Sequence, residues 1–127
     1  MYRFLLICLG GALGTGARYL IALEAPRLLG TAFPYGTLTV NVVGSFLVGA
    51  VMHVGLTTNL MSPELRLMLT TGVMGGFTTY STFNYETMEY LRQGDFSLAA
   101  VNVAVTVILC LLAGALGLAL AGWLVGR

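Results

Sequence analysis

The sequence predicts an all-α integral membrane protein whose four transmembrane helices include a broken third one. Three observations carry this. Charge is scarce: the 127 residues hold six basic side chains, all Arg, and five Asp or Glu, so charged residues are 9% of the chain, against about 25% in a soluble domain. Apolar runs recur at the length a bilayer demands, about 20 residues for a hydrocarbon core of about 30 Å. The third of those runs is crowded with Gly, Thr and Ser. A soluble globule is excluded by the composition. Nucleic-acid binding is excluded too, because it needs a basic face, and so is disorder, because it needs low hydrophobicity and high net charge.

The elements follow in order as one domain, residues 1–127. The first span covers about 3–23 and ends at Glu24, Ala25, Pro26 and Arg27; no small-residue cleavage site follows a short apolar core, so it reads as a mature span. The second, about 34–56, lies in a charge-free stretch from Leu28 to Pro63 and stops at Thr57, Thr58 and Asn59. The third, about 65–91, contains Thr70, Thr71, Gly72, Gly75, Gly76, Thr78, Thr79, Ser81, Thr82 and Asn84. Such backbone is tolerated at membrane depth only when buried in protein or lining a wet cavity, and a Gly-interrupted span points to an ion or substrate site. The break is expected near 75–79. The last span, about 97–124, is one long helix without charge, tilted to fit the bilayer.

Four spans place both termini and the second connection on one side. Arg3, Arg66 and Arg127 then face Arg18, Arg27 and Arg92, three against three. Since Lys/Arg bias sets orientation, no bias predicts insertion both ways, which allows two copies to pair antiparallel; a fixed orientation set by other factors is equally open. Tyr2 and Trp123 would anchor one interface, and Tyr19, Tyr35 and Tyr90 the other.

Among candidate functional residues, two polar stripes stand out. Thr37, Asn41 and Ser45 share one face of the second span, and Asn102, Thr106 and Cys110 one face of the fourth. Each stripe is either interhelical hydrogen-bond glue or the wall of a permeation path. Phe77, Tyr80 and Phe83 at i+3 spacing are bulky packing, or rings whose positive edges replace water around a small anion. Glu89 reads as a solvated helix end, Glu86 stays open between structure and conduction, Arg18 either snorkels to the headgroups or attracts anions toward a vestibule, and His53 is interfacial. Gly10 with Gly14, Gly72 with Gly76 and Gly122 with Gly126 are spaced for close helix packing. Cys8 and Cys110 read as small hydrophobes. No catalytic set can be assembled, so no enzyme is expected, and only carbonyls freed at the break would suit a hard cation.

The run Gly75-Gly76-Phe77-Thr78-Thr79-Tyr80-Ser81-Thr82-Phe83 resembles the signature of the Fluc (CrcB) fluoride channels. The resemblance extends to Gly10-Gly11-Ala12-Leu13-Gly14 with Arg18-Tyr19, to Gly36-Thr37-Leu38, to Asn41 and to Gly44-Ser45-Phe46, and it covers essentially the whole chain. It implies an antiparallel dual-topology homodimer in the bacterial inner membrane, with two pores built from both subunits, exporting fluoride passively. By position it implies that Asn41 hydrogen-bonds fluoride and that Tyr80 and Phe83 form a box of rings. Ser81, Thr82, Asn102 and Thr106 would add polar pore positions, with Cys110 a weaker group than the hydroxyl often found there. Gly75 and Thr78 would lend carbonyls to a structural sodium ion at the dimer interface. The first ring position is typically Phe, so Tyr80 is a departure that implies retained conduction at an altered rate. Two other readings exist. A small multidrug-type proton-coupled exporter would need an acid within the first span, and none occurs between Phe4 and Leu23; a non-transporting packing subunit would need a hetero-partner.

Overall fold

A computed structural model describes residues 1–126; Arg127, counted above on the terminal side, lies outside them. The described chain is helical, without strands. It comprises α1 (Tyr2–Leu29), α2 (Tyr35–Thr57), α3 (Pro63–Leu67), a π-helical stretch Met68–Met74, α4 (Gly75–Phe77), α5 (Tyr80–Gln93) and α6 (Phe96–Val125). Three helices, α1, α2 and α6, are long and apolar enough to cross a membrane. Their outward faces carry exposed Leu9 and Leu13 on α1 and Leu111, Leu112 and Leu116 on α6, surface that lipid tails solvate as well as protein does. With 14 residues, α5 rises only about 21 Å and is too short to cross alone.

The α1 helix continues beyond the expected end of the first span, through Pro26 to Leu29. Proline removes one N–H, the partner of the carbonyl four residues back, yet the helix closes beyond it: Gly30 donates its N–H to the Pro26 carbonyl at 3.1 Å. Gly30 then leaves the helix at φ 83, a conformation glycine adopts without penalty. Ser62 caps α3 by accepting the Leu65 N–H at 3.2 Å, with Pro63 at the first turn where its missing donor costs nothing.

Two bonds fix the ends. Arg3 pairs with Glu64 at 2.7 Å, and Arg66 donates to the Gly55 carbonyl at 2.6 Å, so the N-terminus and the α2–α3 connection lie at the same end. The Arg3 guanidinium holds the Glu64 carboxyl below the usual carboxylate range.

Close backbone approach organises the packing. On α1, a Cβ at Gly10 would sit 2.8 Å from the Met68 carbonyl oxygen and one at Gly14 would collide with the Val73 carbonyl; across the seam, a Cβ at Gly76 would lie 3.0 Å from the Thr15 nitrogen. The Gly10/Gly14 and Gly72/Gly76 spacings thus describe one interface. Gly126 ends α6 at φ 72, and among the described residues a Cβ there would meet nothing within 4 Å, while Gly122 is buried. The α2–α6 seam rests on glycines the spacing argument passed over: a Cβ at Gly49 would strike the Gly114 carbonyl, and one at Gly117 the Phe46 carbonyl.

Candidate functional site

Helical structure stops at Phe77. Thr78 and Thr79 are extended, at φ −81, ψ 159 and φ −151, ψ 110, and α5 starts at Tyr80. The interruption is held by one side chain from α2. Asn41 donates from Nδ2 to the Thr79 carbonyl at 3.0 Å and accepts the Thr79 N–H at its Oδ1 at 2.7 Å, so its amide pairs with the chain as a second strand would. One turn on, Gly44 makes room for Thr78, whose methyl a Cβ at that position would strike. Thr79 then caps α5, its hydroxyl accepting the Thr82 N–H at 3.2 Å and donating to the Thr82 hydroxyl at 2.9 Å.

This pairing frees main-chain carbonyls. In an uninterrupted helix the Thr79 N–H would bond Gly75 and the Thr82 N–H would bond Thr78; here the first goes to Asn41 and the second to the Thr79 hydroxyl. The Gly75 and Thr78 carbonyls therefore lack their helical donors. Such oxygens are the donor set a hard, weakly hydrated cation accepts, and Gly75 is exposed on the surface of the single chain.

Beside the break lies a cavity of about 560 Å³. Asn41 and Ser45 of α2, Thr78, Tyr80 and Phe83 at the break, and Thr106 and Cys110 of α6 line it; no charged side chain does, among the described residues. The Tyr80 and Phe83 rings are 5.7 Å apart, centroid to centroid, and inclined at 56°, a tilted pair that presents edges as well as faces. Most of the nominated pore residues are thus gathered around one uncharged space.

Three nominated residues fall elsewhere. Asn102 is 1% exposed and donates to the Thr87 hydroxyl at 3.0 Å, while Thr87 itself donates to the Phe83 carbonyl at 2.8 Å. In the single chain Asn102 joins α6 to α5 and fixes the backbone that carries the Phe83 ring. Ser81 is exposed beside the Thr79 hydroxyl. Thr82 opens instead onto a second cavity, of about 410 Å³, at the other end of the stripe on α2.

That second cavity holds a pair the sequence left open. Thr37 donates to Glu86 Oε1 at 2.6 Å, and Glu86 Oε2 is buried without a partner among the described residues. Glu89 also lines it but is engaged by Arg92 at 2.9 Å and Gln93 at 2.7 Å. Only the i+4 step from Thr37 to Asn41 hinted that the two cavities share one wall. His53 keeps a buried Nε2 with no partner among the described residues.

A model of the CrcB-like protein family, described as Camphor Resistance (CrcB), matches residues 5–118. The fluoride-specific ion channel FluC of Sorangium cellulosum (strain So ce56) is 52% identical over 121 residues, 95% of each chain. That of Anaeromyxobacter sp. (strain K) is 52% identical over 126 residues, 99% of this chain and 100% of the other, and that of Geobacter sulfurreducens (strain ATCC 51573 / DSM 12127 / PCA) 54% identical over 111 residues, 87% and 90%.

Proposed function

Because this chain belongs to the CrcB family, we propose that it is a fluoride-selective passive channel of the bacterial inner membrane, exporting the anion to relieve its toxicity. It is a multi-pass membrane protein and no enzyme. The observation that carries the reading is the uncharged cavity at the Asn41-braced break, lined by hydrogen-bond donors and a tilted ring pair. A small, strongly hydrated anion leaves water only if donors and positive ring edges replace its shell, and a fixed cation would hold it too long to conduct. Fluoride enters along the Thr37 face, is held near Asn41 and the Tyr80–Phe83 rings, and leaves past Thr106 and Cys110. External acid favours entry of neutral hydrogen fluoride, which dissociates inside, so the trapped anion runs out through a pore without an energy source.

The functional unit is an antiparallel homodimer. Tyr80, Ser81, Asn84 and Tyr85 are exposed on α5, as are Thr71 and Gly75 before the break; polar backbone and side chains at membrane depth must be covered by protein or face a wet cavity. A second copy supplies that cover, and the balanced Arg count supports its inverted orientation. The third span, about 65–91, crosses the membrane as two half-helices, completing four spans. The freed Gly75 and Thr78 carbonyls would hold a structural sodium ion where the two copies meet, a fixed charge that braces the interface.

The test is anion efflux from liposomes containing only the purified protein, followed with fluoride and chloride electrodes, with Phe83→Ile alongside. Expected is fast fluoride release with little chloride, slowed at least tenfold in Phe83→Ile. No release from the unmodified protein would overturn the channel reading and favour a packing subunit.

A further inference from the structure

An anion crossing the cavity meets only those donors that the fold has left uncommitted. Ser45 already donates its hydroxyl to the Asn41 carbonyl at 2.7 Å. The Thr78 hydroxyl donates to the Met74 carbonyl at 2.9 Å. Asn41 spends one amide hydrogen on the Thr79 carbonyl, which leaves one. Thr106 and Tyr80 also line the space, and neither hydroxyl has a partner among the described residues. In the single chain Tyr80 is 78% exposed, on the face that the proposed second copy covers, and its ring leans on Phe83, so the phenol is positioned there by ring contact. A phenol O–H is a stronger hydrogen-bond donor than an aliphatic hydroxyl such as that of Thr106, and hydrogen bonds to an ion are stronger than those between neutral groups.

We propose that the Tyr80 hydroxyl is an anion-holding donor that lengthens the residence of fluoride beside the ring pair and sets the concentration at which flux saturates. This rests on the channel reading and adds to it a residue that sets affinity against throughput. A ring edge offers fluoride only a weak, diffuse positive field, whereas an O–H offers a directed bond to a charged acceptor that is strong relative to neutral pairs. Tighter holding lowers the half-saturating concentration and, because conduction requires the ion to leave, lowers the maximal rate. Chloride, a poorer hydrogen-bond acceptor, gains less from the same group, so the hydroxyl favours fluoride in competition.

The experiment measures initial efflux from liposomes over a range of internal fluoride concentrations, for the unmodified protein and for Tyr80→Phe, which keeps the ring and loses only the oxygen. The expected result is a roughly tenfold rise in half-saturating fluoride, the low end of the contribution of a hydrogen bond to a charged group, together with a severalfold rise in maximal flux. Equal melting temperatures establish that the variant folds alike. A conducting Tyr80→Phe with unchanged half-saturation overturns the proposal, and so does a fall in maximal flux at constant half-saturation, which is what a packing role predicts. As a second variant, Phe83→Tyr adds a hydroxyl to the other ring and should shift half-saturation downward. An inert unmodified protein would instead overturn the channel reading itself, a failure distinguishable from either result above.

Discussion

Asn41 shows how one side chain settles a backbone conformation. Its two hydrogen bonds satisfy both main-chain groups of Thr79, a residue only 6% exposed whose donor and acceptor would otherwise be buried unpaired, at about 1–3 kcal/mol for each such group. Asn41→Ala should therefore lower the melting temperature of the detergent-solubilised protein by several degrees and reduce fluoride efflux more than tenfold, because the break relaxes and the cavity loses a wall. Asn41→Asp preserves the acceptor for the Thr79 N–H but turns the donor into an oxygen facing the Thr79 carbonyl, so it should be destabilised by a similar amount. An Ala variant that melts with the unmodified protein would refute the brace. Periodicity placed Asn41 on a polar face and left two uses open, interhelical bonding or a permeation wall; the structure shows the bonding to Thr79 and places the same residue beside a cavity. Asn102 read as an equivalent residue two spans later, with the same two uses open, and in the single chain it is buried against Thr87. Spacing within a helix reveals which residues share a face and nothing about what lies opposite.

At the scale of elements, the legible features were those fixed by local chemistry: long charge-free runs became long helices, and the dense Gly, Thr and Ser around residue 78 became an interruption of the helix. The π-helical stretch Met68–Met74 was not legible, because a wider turn arises where a helix adapts to a neighbour, and here that neighbour is the glycine face of α1. The α2–α6 glycines escaped for the same reason, since neither Gly49 nor Gly114 has meaning until the other is opposite it. This packing gives a contrast within one helix. Gly14→Ala places a methyl group against the Val73 carbonyl and 2.9 Å from the Phe77 nitrogen, backbone atoms that cannot swing away, and overpacking of this kind costs about 1–3 kcal/mol or more. Gly16→Ala meets nothing within 4 Å and gains helix propensity of about 1 kcal/mol. Thermal melts should show the first lowered and the second equal or raised; equal melts for both would mean that α1 does not lean on the π-helical segment as the coordinates describe.

For the whole molecule, the proposed antiparallel pair would cover the polar surface of α5 and the freed carbonyls at Gly75 and Thr78. With sodium bridging two copies through those carbonyls, replacing it by a large organic cation at equal ionic strength should lower the melting temperature of the dimer and increase the monomer fraction; an unchanged melt would count against that ion. Orientation gives a sharper test. Arg3 and Arg66 lie toward one end, tied to Glu64 and Gly55, while Arg27 and Arg92 pair with Glu24 and Glu89 at the far ends of α1 and α5, so neither end dominates and small additions should tip the balance. Asn59→Lys with Leu60→Lys, exposed on the α2–α3 connection, should hold that end in the cytoplasm in every copy. Leu28→Lys with Leu29→Lys, exposed in the last turn of α1 and outside both cavities, should do the reverse. If the conducting unit is an antiparallel pair, each biased variant expressed alone will insert correctly, fold as a single chain and give little fluoride efflux from liposomes, while co-expression of the two will restore it. A parallel pair or a conducting monomer predicts the opposite, full efflux from each variant alone and no gain from mixing, because inversion would then change nothing that the pore is built from.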